Sequence, residues 1–128
     1  MIGKLLDTNA VIALQRSDKA FLEFLSRNPN ILVPAIVIGE LYFGAFNSGK
    51  PAFNIAVIDA FVAKNTILHA DEVTGKHYAE IRHSLKKKGH PIPENDLWIA
   101  ATAIQYQLIL VTRDNHFNVV DGLIVETW

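Results

Sequence analysis

The sequence contains no cysteine, so disulfide bonds and thiolate metal sites are excluded. It also lacks an apolar run of about 18 residues, the length that a membrane-spanning helix needs. The first residues show no basic region ahead of an apolar stretch that ends in small residues, so no secretory signal is visible. The net charge is only −1, so the strongly basic surface of many nucleic-acid-binding domains is missing too. We therefore expect a cytoplasmic protein without membrane contact.

Apolar residues are abundant: they make up 50% of the 128 positions and can fill a sizeable core. Short, continuously apolar segments alternate with segments of helical periodicity, which favours a parallel sheet covered by helices on both faces. We predict a single α/β domain, a three-layer sandwich with a mostly parallel sheet of four to five strands. The expected strands lie at 2–6, 31–33, 66–68, 108–111 and 123–125.

Three local signals refine the expected helices. Asp7 or Thr8 is the predicted cap of the first helix, and Asn95 or a neighbour is the predicted cap of the last. Residues 35–46 are apolar on nearly all sides, which predicts a central, buried helix. The run KKKG at 86–89 predicts a helix end, since basic residues followed by glycine suit a helix C-terminus.

Four acidic residues are candidates for a shared site. Asp7 follows the first strand in LLDTNAVIAL, and Asp114 follows the fourth in LVTRDNHF. Asp96 lies in the first turn of a helix in PENDLWIAA, and Glu40 lies inside a helix in AIVIGELYFGAF. Ligands of open parallel sheets collect beyond the carboxyl ends of the strands. We therefore expect the acids to meet at that edge.

Three of these acids also have a purely structural interpretation. Asp7 can cap the first helix. Asp96 near a helix N-terminus is favoured by the helix dipole, and Asp114 suits a turn. Each acid alone is therefore ambiguous, and only their joint position favours a functional site.

Glu40 is harder to explain because its neighbours are apolar, and glutamate is rarely buried unless it is paired. A salt bridge to Arg82 or Arg113 is one possible partner, and a metal ion is another. Two unit charges about 4 Å apart interact by about 4 kcal/mol at an effective dielectric near 20, so clustered carboxylates require cations. Oxygen ligands suit Mg²⁺ or Mn²⁺. The histidines show no HxxxH or HxH spacing, which disfavours zinc.

Such a metal site can orient a phosphodiester and lower the pKa of a bound water that attacks phosphorus. Thr8 and Thr112 flank two of the acids. Their hydroxyls are expected either to hold water or phosphate, or to serve capping and strand packing. His116 lies near Asp114 and is expected either to pack or to take part in catalysis.

Four segments together resemble one family. They are LLDTNAVIAL with the first acid, VPAIVIGELYFGA with the central Glu, ENDLWIAATA with the third acid, and LVTRDNHFNVVDGLIVETW at the close. In this order and spacing they resemble the PIN-domain ribonucleases, most closely the VapC toxins of bacterial and archaeal toxin–antitoxin pairs. The resemblance extends over essentially the whole length.

This resemblance implies a PIN-like fold over 1–128 and a metal-dependent endoribonuclease. It implies Asp7, Glu40, Asp96 and Asp114 as the catalytic quartet around Mg²⁺ or Mn²⁺, with Asp7 and Asp96 as the most direct ligands. It also implies an RNA substrate such as transfer or ribosomal RNA, a homodimer, and a cognate VapB-like antitoxin that blocks the site.

Two surface features bear on these partners. Lys86, Lys87 and Lys88 are expected either to contact RNA phosphates or to form a solvated helix end. The stretches IVIGELYFGAF and PAFNIAVIDAF hold more large apolar side chains than a small sheet covers, so we expect a second copy or the antitoxin to cover part of them.

Two other functional classes remain open at this point. One is a small Mg²⁺-dependent phosphatase or phospho-acceptor domain with Asp7 as nucleophile. Position 9 is Asn, where such a phosphatase would have the second Asp of D-x-D, and the acids extend as far as Asp114. The other is a non-catalytic PIN-like binding module that uses the site as an anion sensor.

Overall fold

The computed structural model describes residues 2–128, which form one five-stranded sheet and six α-helices. The strands are β1 (Lys4–Leu6), β2 (Ile31–Pro34), β3 (Thr66–Leu68), β4 (Ile109–Val111) and β5 (Val125–Glu126). The helices are α1 (Thr8–Gln15), α2 (Lys19–Arg27), α3 (Ala35–Phe46), α4 (Pro51–Lys64), α5 (Glu72–Lys88) and α6 (Glu94–Gln105), and a short 3₁₀ helix spans Asn115–Val119.

The sheet is parallel throughout, with strand order β3-β2-β1-β4-β5. The chain moves outward from β1 to β3 and then returns across the sheet to β4. Since crossovers between parallel strands are right-handed, α1 to α4 cover one face while α5 and α6 cover the other. Both faces of the sheet are therefore buried, which explains why the strands are apolar throughout. The predicted α/β class and parallel sheet are confirmed.

The centre of the core is β1, where Leu5 and Leu6 have no exposed surface. Lys4 on the same strand is also buried, and its ammonium contacts the Glu126 carboxylate at 2.6 Å across β4. This ion pair links the central strand to the edge strand β5. It also neutralises a charge that would otherwise be unpaired beside the sheet.

Several helix ends lie where the sequence predicted them. Asp7 is the cap of α1, and α5 ends before Gly89, whose φ of +72° is the left-handed conformation that glycine adopts readily. The predicted cap Asn95 is wrong: α6 begins at Glu94 behind Pro93, and no side chain caps it. The ring of Pro93 fixes its φ and carries no acceptor, so no side-chain cap pairs with the first N–H groups of α6.

Two further predictions need correction. The fifth strand was predicted at 123–125 and is observed at Val125–Glu126, so it begins two residues later. Its pairing with β4 sets this position. Helix α3 is not buried on all sides: Phe43 is 72% exposed and Phe46 is 67% exposed. An apolar helix therefore presents one face to the core and leaves another uncovered.

Among residues 2–128, no helix combines the length and the apolar character required to cross a bilayer.

Candidate active site

The site lies at the carboxyl ends of β1 and β4, which are neighbours in the sheet. Asp7 directly follows β1, and its backbone N–H donates to the carbonyl of Val111 at the end of β4, at 3.1 Å. Parallel pairing of Leu6 with Val111 brings the segments that follow the two strands side by side. The sheet thus places Asp7 next to Thr112 and Asp114, although more than a hundred residues separate them in sequence.

Both carboxylate oxygens of Asp7 have a partner. Oδ1 accepts from the Thr8 backbone N–H at 2.8 Å, and Oδ2 accepts from the Thr112 hydroxyl at 2.7 Å. Asp7 is only 5% exposed. Burial raises its pKa, these hydrogen bonds offset part of the rise, and the charge of Asp114 adds to it. Asp7 therefore caps α1 and also lies in the candidate site, and its carboxylate oxygens keep lone pairs that could bind a ligand.

The Thr112 hydroxyl is oriented by two donors. Its oxygen accepts from the side-chain amide of Asn9 at 3.3 Å and from the backbone N–H of Asp114 at 3.0 Å. Its single proton is then directed to Asp7. The sequence analysis missed Asn9; the available signal was an Asn in the first turn of a helix, where its short polar side chain can bond nearby backbone groups.

Asp96, Asp114 and His116 form the outer part of the site. The His116 Nδ1 atom lies 3.0 Å from Asp114 Oδ1 and 3.5 Å from Asp96 Oδ2. One ligand atom from each of the three residues lies within 4.8 Å of the others. His116 therefore contacts both acids directly. The sequence had also allowed a role in packing alone.

The electrostatic cost of this arrangement is largest at Asp96. Its burial, followed by the negative charges of Asp7 and Asp114, raises the pKa of Asp96 to about 6, against a smaller lowering by His116. The carboxylates of Asp7, Asp96 and Asp114 thus lie close enough for their charges to interact.

Glu40 lies near Asp7, Thr8 and Asn95. Burial raises the pKa of Glu40, the Asp7 charge adds to the rise, and the Thr8 and Asn95 side chains offset part of it. Among the described residues Glu40 forms no ion pair.

The arginines suggested as partners for Glu40 are engaged elsewhere. Arg82 donates to the Tyr78 hydroxyl at 2.7 Å and lies 3.8 Å from a Glu94 oxygen. Arg113 donates to the Trp128 carbonyl. The salt-bridge interpretation of Glu40 is therefore wrong in this structure.

These residues fit a hard divalent cation. The donors are carboxylate oxygens, and burial followed by the charge of neighbouring acids raises the pKa of Asp7, Glu40 and Asp96. No lysine or arginine within residues 2–128 pairs with them. The Thr8 hydroxyl is buried without a hydrogen-bond partner of acceptable geometry, although it is near enough to Glu40 to lower that pKa. Such an unpaired polar atom suits a site that holds further oxygen atoms when a metal ion is bound.

The lysines at the end of α5 differ from one another. Lys88 contacts Asp121 at 2.7 Å and the Val119 carbonyl at 3.2 Å, which ties α5 to the segment after the 3₁₀ helix. Lys86 and Lys87 are exposed on the same last turn. Of the three predicted RNA contacts, Lys88 thus already has an acidic partner.

An apolar groove of about 620 Å³ leads away from Glu40 between α1, α3 and α4. Thr8 and Glu40 line the end next to the acids, and Arg16 lines it just after α1. Phe53 and Val57 lie along it on α4 and are exposed at 65% and 40%. The groove is continuous with the acidic site, so an occupant could reach both.

Comparison with known proteins agrees with this geometry. Residues 4–123 match the PIN domain family. Ribonuclease VapC2 of Haemophilus influenzae is 41% identical over 133 aligned residues, covering 100% of this chain and 99% of that protein. The tRNA(fMet)-specific endonuclease VapC of Shigella flexneri is 32% identical and also covers 100% of this chain and 99% of its own length.

A solved structure of DNA-bound VapBC from Salmonella typhimurium contains a chain with a TM-score of 0.91, 29% identity, and coverage of 100% of this chain and 99% of that one. The chain therefore belongs to the PIN domain family. Within that family, its full-length relatives are VapC ribonucleases.

The raised pKa of Asp96 makes the stability of the metal-free protein depend on pH. The folded state retains a proton up to about pH 6 that the unfolded chain releases near its ordinary pKa of 3.8. Because the folded state binds more protons in this window, the free energy of unfolding should fall as pH rises from 3.8 to about 6. Urea unfolding in the presence of chelator, at a series of pH values, measures this free energy. Asp96→Asn should abolish this part of the decline. Parallel pH profiles of the wild type and Asp96→Asn would contradict the prediction.

Proposed function

We propose that this chain is a VapC-like toxin, an endoribonuclease that hydrolyses RNA phosphodiester bonds in a reaction that depends on Mg²⁺ or Mn²⁺. The observation that carries the proposal is the convergence of Asp7, Asp96 and Asp114 at one edge of the sheet without a lysine or arginine partner. Full-length relatives with the name ribonuclease support it.

A bound Mg²⁺ or Mn²⁺ would lower the pKa of a water molecule and stabilise negative charge on the phosphoryl oxygens. Asp7 and Asp96 would hold the ion most directly, with Asp114 beside them. Thr112 and the Thr8 amide fix the Asp7 carboxylate, so its remaining lone pairs have a set direction.

Glu40 is suited to a different role in this proposal. Its pKa is raised by burial, and it lies on the Thr8 side of Asp7. A carboxylate with a raised pKa is a better proton acceptor than an ordinary one. We assign the Glu40 carboxylate to receive the proton that the attacking water loses.

A structured RNA is the proposed substrate class. The relative from Shigella flexneri is named a tRNA(fMet)-specific endonuclease and aligns over its full length. Transfer RNA is therefore the first substrate to test, with ribosomal RNA as the second.

Purified chain should cleave total cellular RNA in Mn²⁺ or Mg²⁺ and lose the activity in chelator. Asp7→Asn should reduce cleavage by at least about a hundredfold, since it removes a charged ligand at the centre of the acid cluster. Gel analysis of the RNA and sequencing of its new ends measure the result.

The control is Asp18→Asn, purified identically, which alters an aspartate that caps α2 outside the acid cluster. It should retain cleavage. Equal cleavage by the wild type and by Asp7→Asn would contradict the proposed function, because the activity would then come from a contaminant.

We further propose that a VapB-like antitoxin occupies the groove between α1, α3 and α4. A comparable solved structure is a VapBC complex. The groove is apolar along α4 and ends at Glu40, so an apolar segment followed by a basic side chain would complement both its parts.

Val57→Asp should weaken inhibition by the antitoxin by at least about tenfold, because it introduces a charge into the apolar groove. Val73→Asp is the matched control, since Val73 is similarly exposed, at 47%, but lies on α5. Titration of the cleavage activity with a cognate VapB-like antitoxin measures the effect. Equal inhibition of the two variants would remove the groove as the antitoxin site.

A homodimer is the proposed free form. Phe43 projects from α3 beside Ile36 and Asn95, on the side of the helix away from the antitoxin groove, and is 72% exposed. A second copy covering this side would bury that apolar surface. Phe43→Asp should shift sedimentation of the free chain from dimer to monomer; a wild-type monomer at micromolar concentration would contradict the proposal.

We also retain Lys86 and Lys87 as proposed contacts to RNA phosphates, with Lys88 as a weaker one because Asp121 already pairs with it. Replacing all three with glutamine should reduce the salt dependence of RNA binding. An unchanged salt dependence would assign them to a solvated helix end.

A further inference from the structure

Arg113 lies between Thr112 and Asp114, and its side chain points away from the acids. The guanidinium carbon lies 4.5 Å from the centroid of the Trp128 ring, and Nη2 donates to the Trp128 carbonyl at 2.7 Å. Arg113 is exposed and pairs with no aspartate or glutamate side chain among the described residues. A guanidinium has five N–H donors in a rigid plane, so most of them remain free.

The surface on which Arg113 rests is itself fixed. The Trp128 ring packs edge-to-face against Phe21 with their centroids 5.1 Å apart, and Phe21 has no exposed surface. At its other end, the backbone N–H of Arg113 donates to the Asn9 side chain at 3.3 Å. The side chain is therefore held in place before any ligand binds, which lowers the entropy cost of binding.

A polar depression of about 280 Å³ adjoins this guanidinium. It contains two acids: the Glu126 carboxylate pairs with Lys4 at 2.6 Å, and Asp114 belongs to the acid cluster and contacts His116. Its other side chains include neutral amides and a hydroxyl that can donate hydrogen bonds. The polar lining comprises Arg113, Asp114, Asn115, Asn118, Glu126 and Thr127.

An RNA substrate faces an electrostatic problem at this site. The acids that hold the ion repel the phosphates on either side of the bond to be cut, and the chain as a whole carries no positive excess. Binding then requires a cation close to the acids but not neutralised by them. Arg113 meets this requirement as far as side chains are concerned, because it is adjacent to Asp114 while its guanidinium contacts Trp128 and no aspartate or glutamate.

We propose that Arg113 and this depression form a phosphate-binding subsite for the nucleotide next to the cleaved bond. The guanidinium binds the flanking phosphate, and the amides of Asn115 and Asn118 contact the attached ribose or base. This inference rests on the proposed function. It adds a substrate contact on the β5 side of the acids, opposite the groove assigned to the antitoxin.

Kinetics test the subsite directly. With Mn²⁺ and transfer RNA, Arg113→Gln should raise KM by about tenfold, the effect of losing one charge-assisted contact, and leave kcat within about twofold. Arg113→Lys keeps the charge without the planar donors and should recover only part of the loss. The matched control Arg27→Gln, at the end of α2 near the opposite edge of the sheet, should leave KM unchanged.

Three kinetic outcomes would overturn the subsite. They are an unchanged KM in Arg113→Gln, an equal rise in Arg27→Gln, and a loss confined to kcat, which would show that Arg113 only positions the acids. An effect of Arg113→Gln on antitoxin inhibition without an effect on KM would assign the surface to the protein partner, and would overturn it as well.

A second readout does not depend on cleavage. The chain has two tryptophans, so Trp98→Phe leaves Trp128 as the only one. Titration with a short oligouridylate in the presence of Mn²⁺ should change the Trp128 emission, and Arg113→Gln should abolish the change. If the wild type cleaves no RNA, the proposed function fails, and this titration still decides the subsite: no RNA-dependent change would overturn it.

Discussion

Mutual repulsion among the carboxylates of Asp7, Asp96 and Asp114 is the constraint on which the rest of the structure depends. The sheet brings Asp7 and Asp114 together through the parallel pairing of β1 with β4, and α6 adds Asp96 from the other face. Burial, and then the charges of Asp7 and Asp114, raise the pKa of Asp96 to about 6. Without a lysine or arginine partner, a divalent cation is the group we propose to relieve this repulsion.

The parts of the fold that the sequence predicted are those where local pattern and tertiary packing agree. An acid directly after an apolar strand identified Asp7, and the basic run before Gly89 identified the end of α5. The sequence predicted that part of the apolar stretch IVIGELYFGAF lies outside the core, but not that Phe43 is among its exposed residues, because periodicity shows which residues are apolar and not which partner covers them. Asn9 and Trp128 were missed since their roles arise from contacts with segments far away in sequence.

Helix α3 serves the core, the site and the proposed partners at once. Leu41 and its buried neighbours pack against the sheet, while Glu40 reaches the acids and Phe43 faces outward. An exposed phenylalanine weakens solubility in a free monomer, and it is stabilising only when a partner covers it. The apolar excess of this helix is therefore better explained by interfaces than by the core, and the acidic site lies between the two proposed interfaces.

The central claim is that the acidic cluster holds a divalent cation. The most direct measurement is a crystal structure grown with Mn²⁺ and analysed by anomalous scattering. The account predicts an anomalous peak bound by carboxylate oxygens of Asp7 and Asp96, with Asp114 beside it and the His116 contact to Asp96 lengthened. No peak at these acids, in crystals at neutral pH with all three carboxylates ordered, would contradict it.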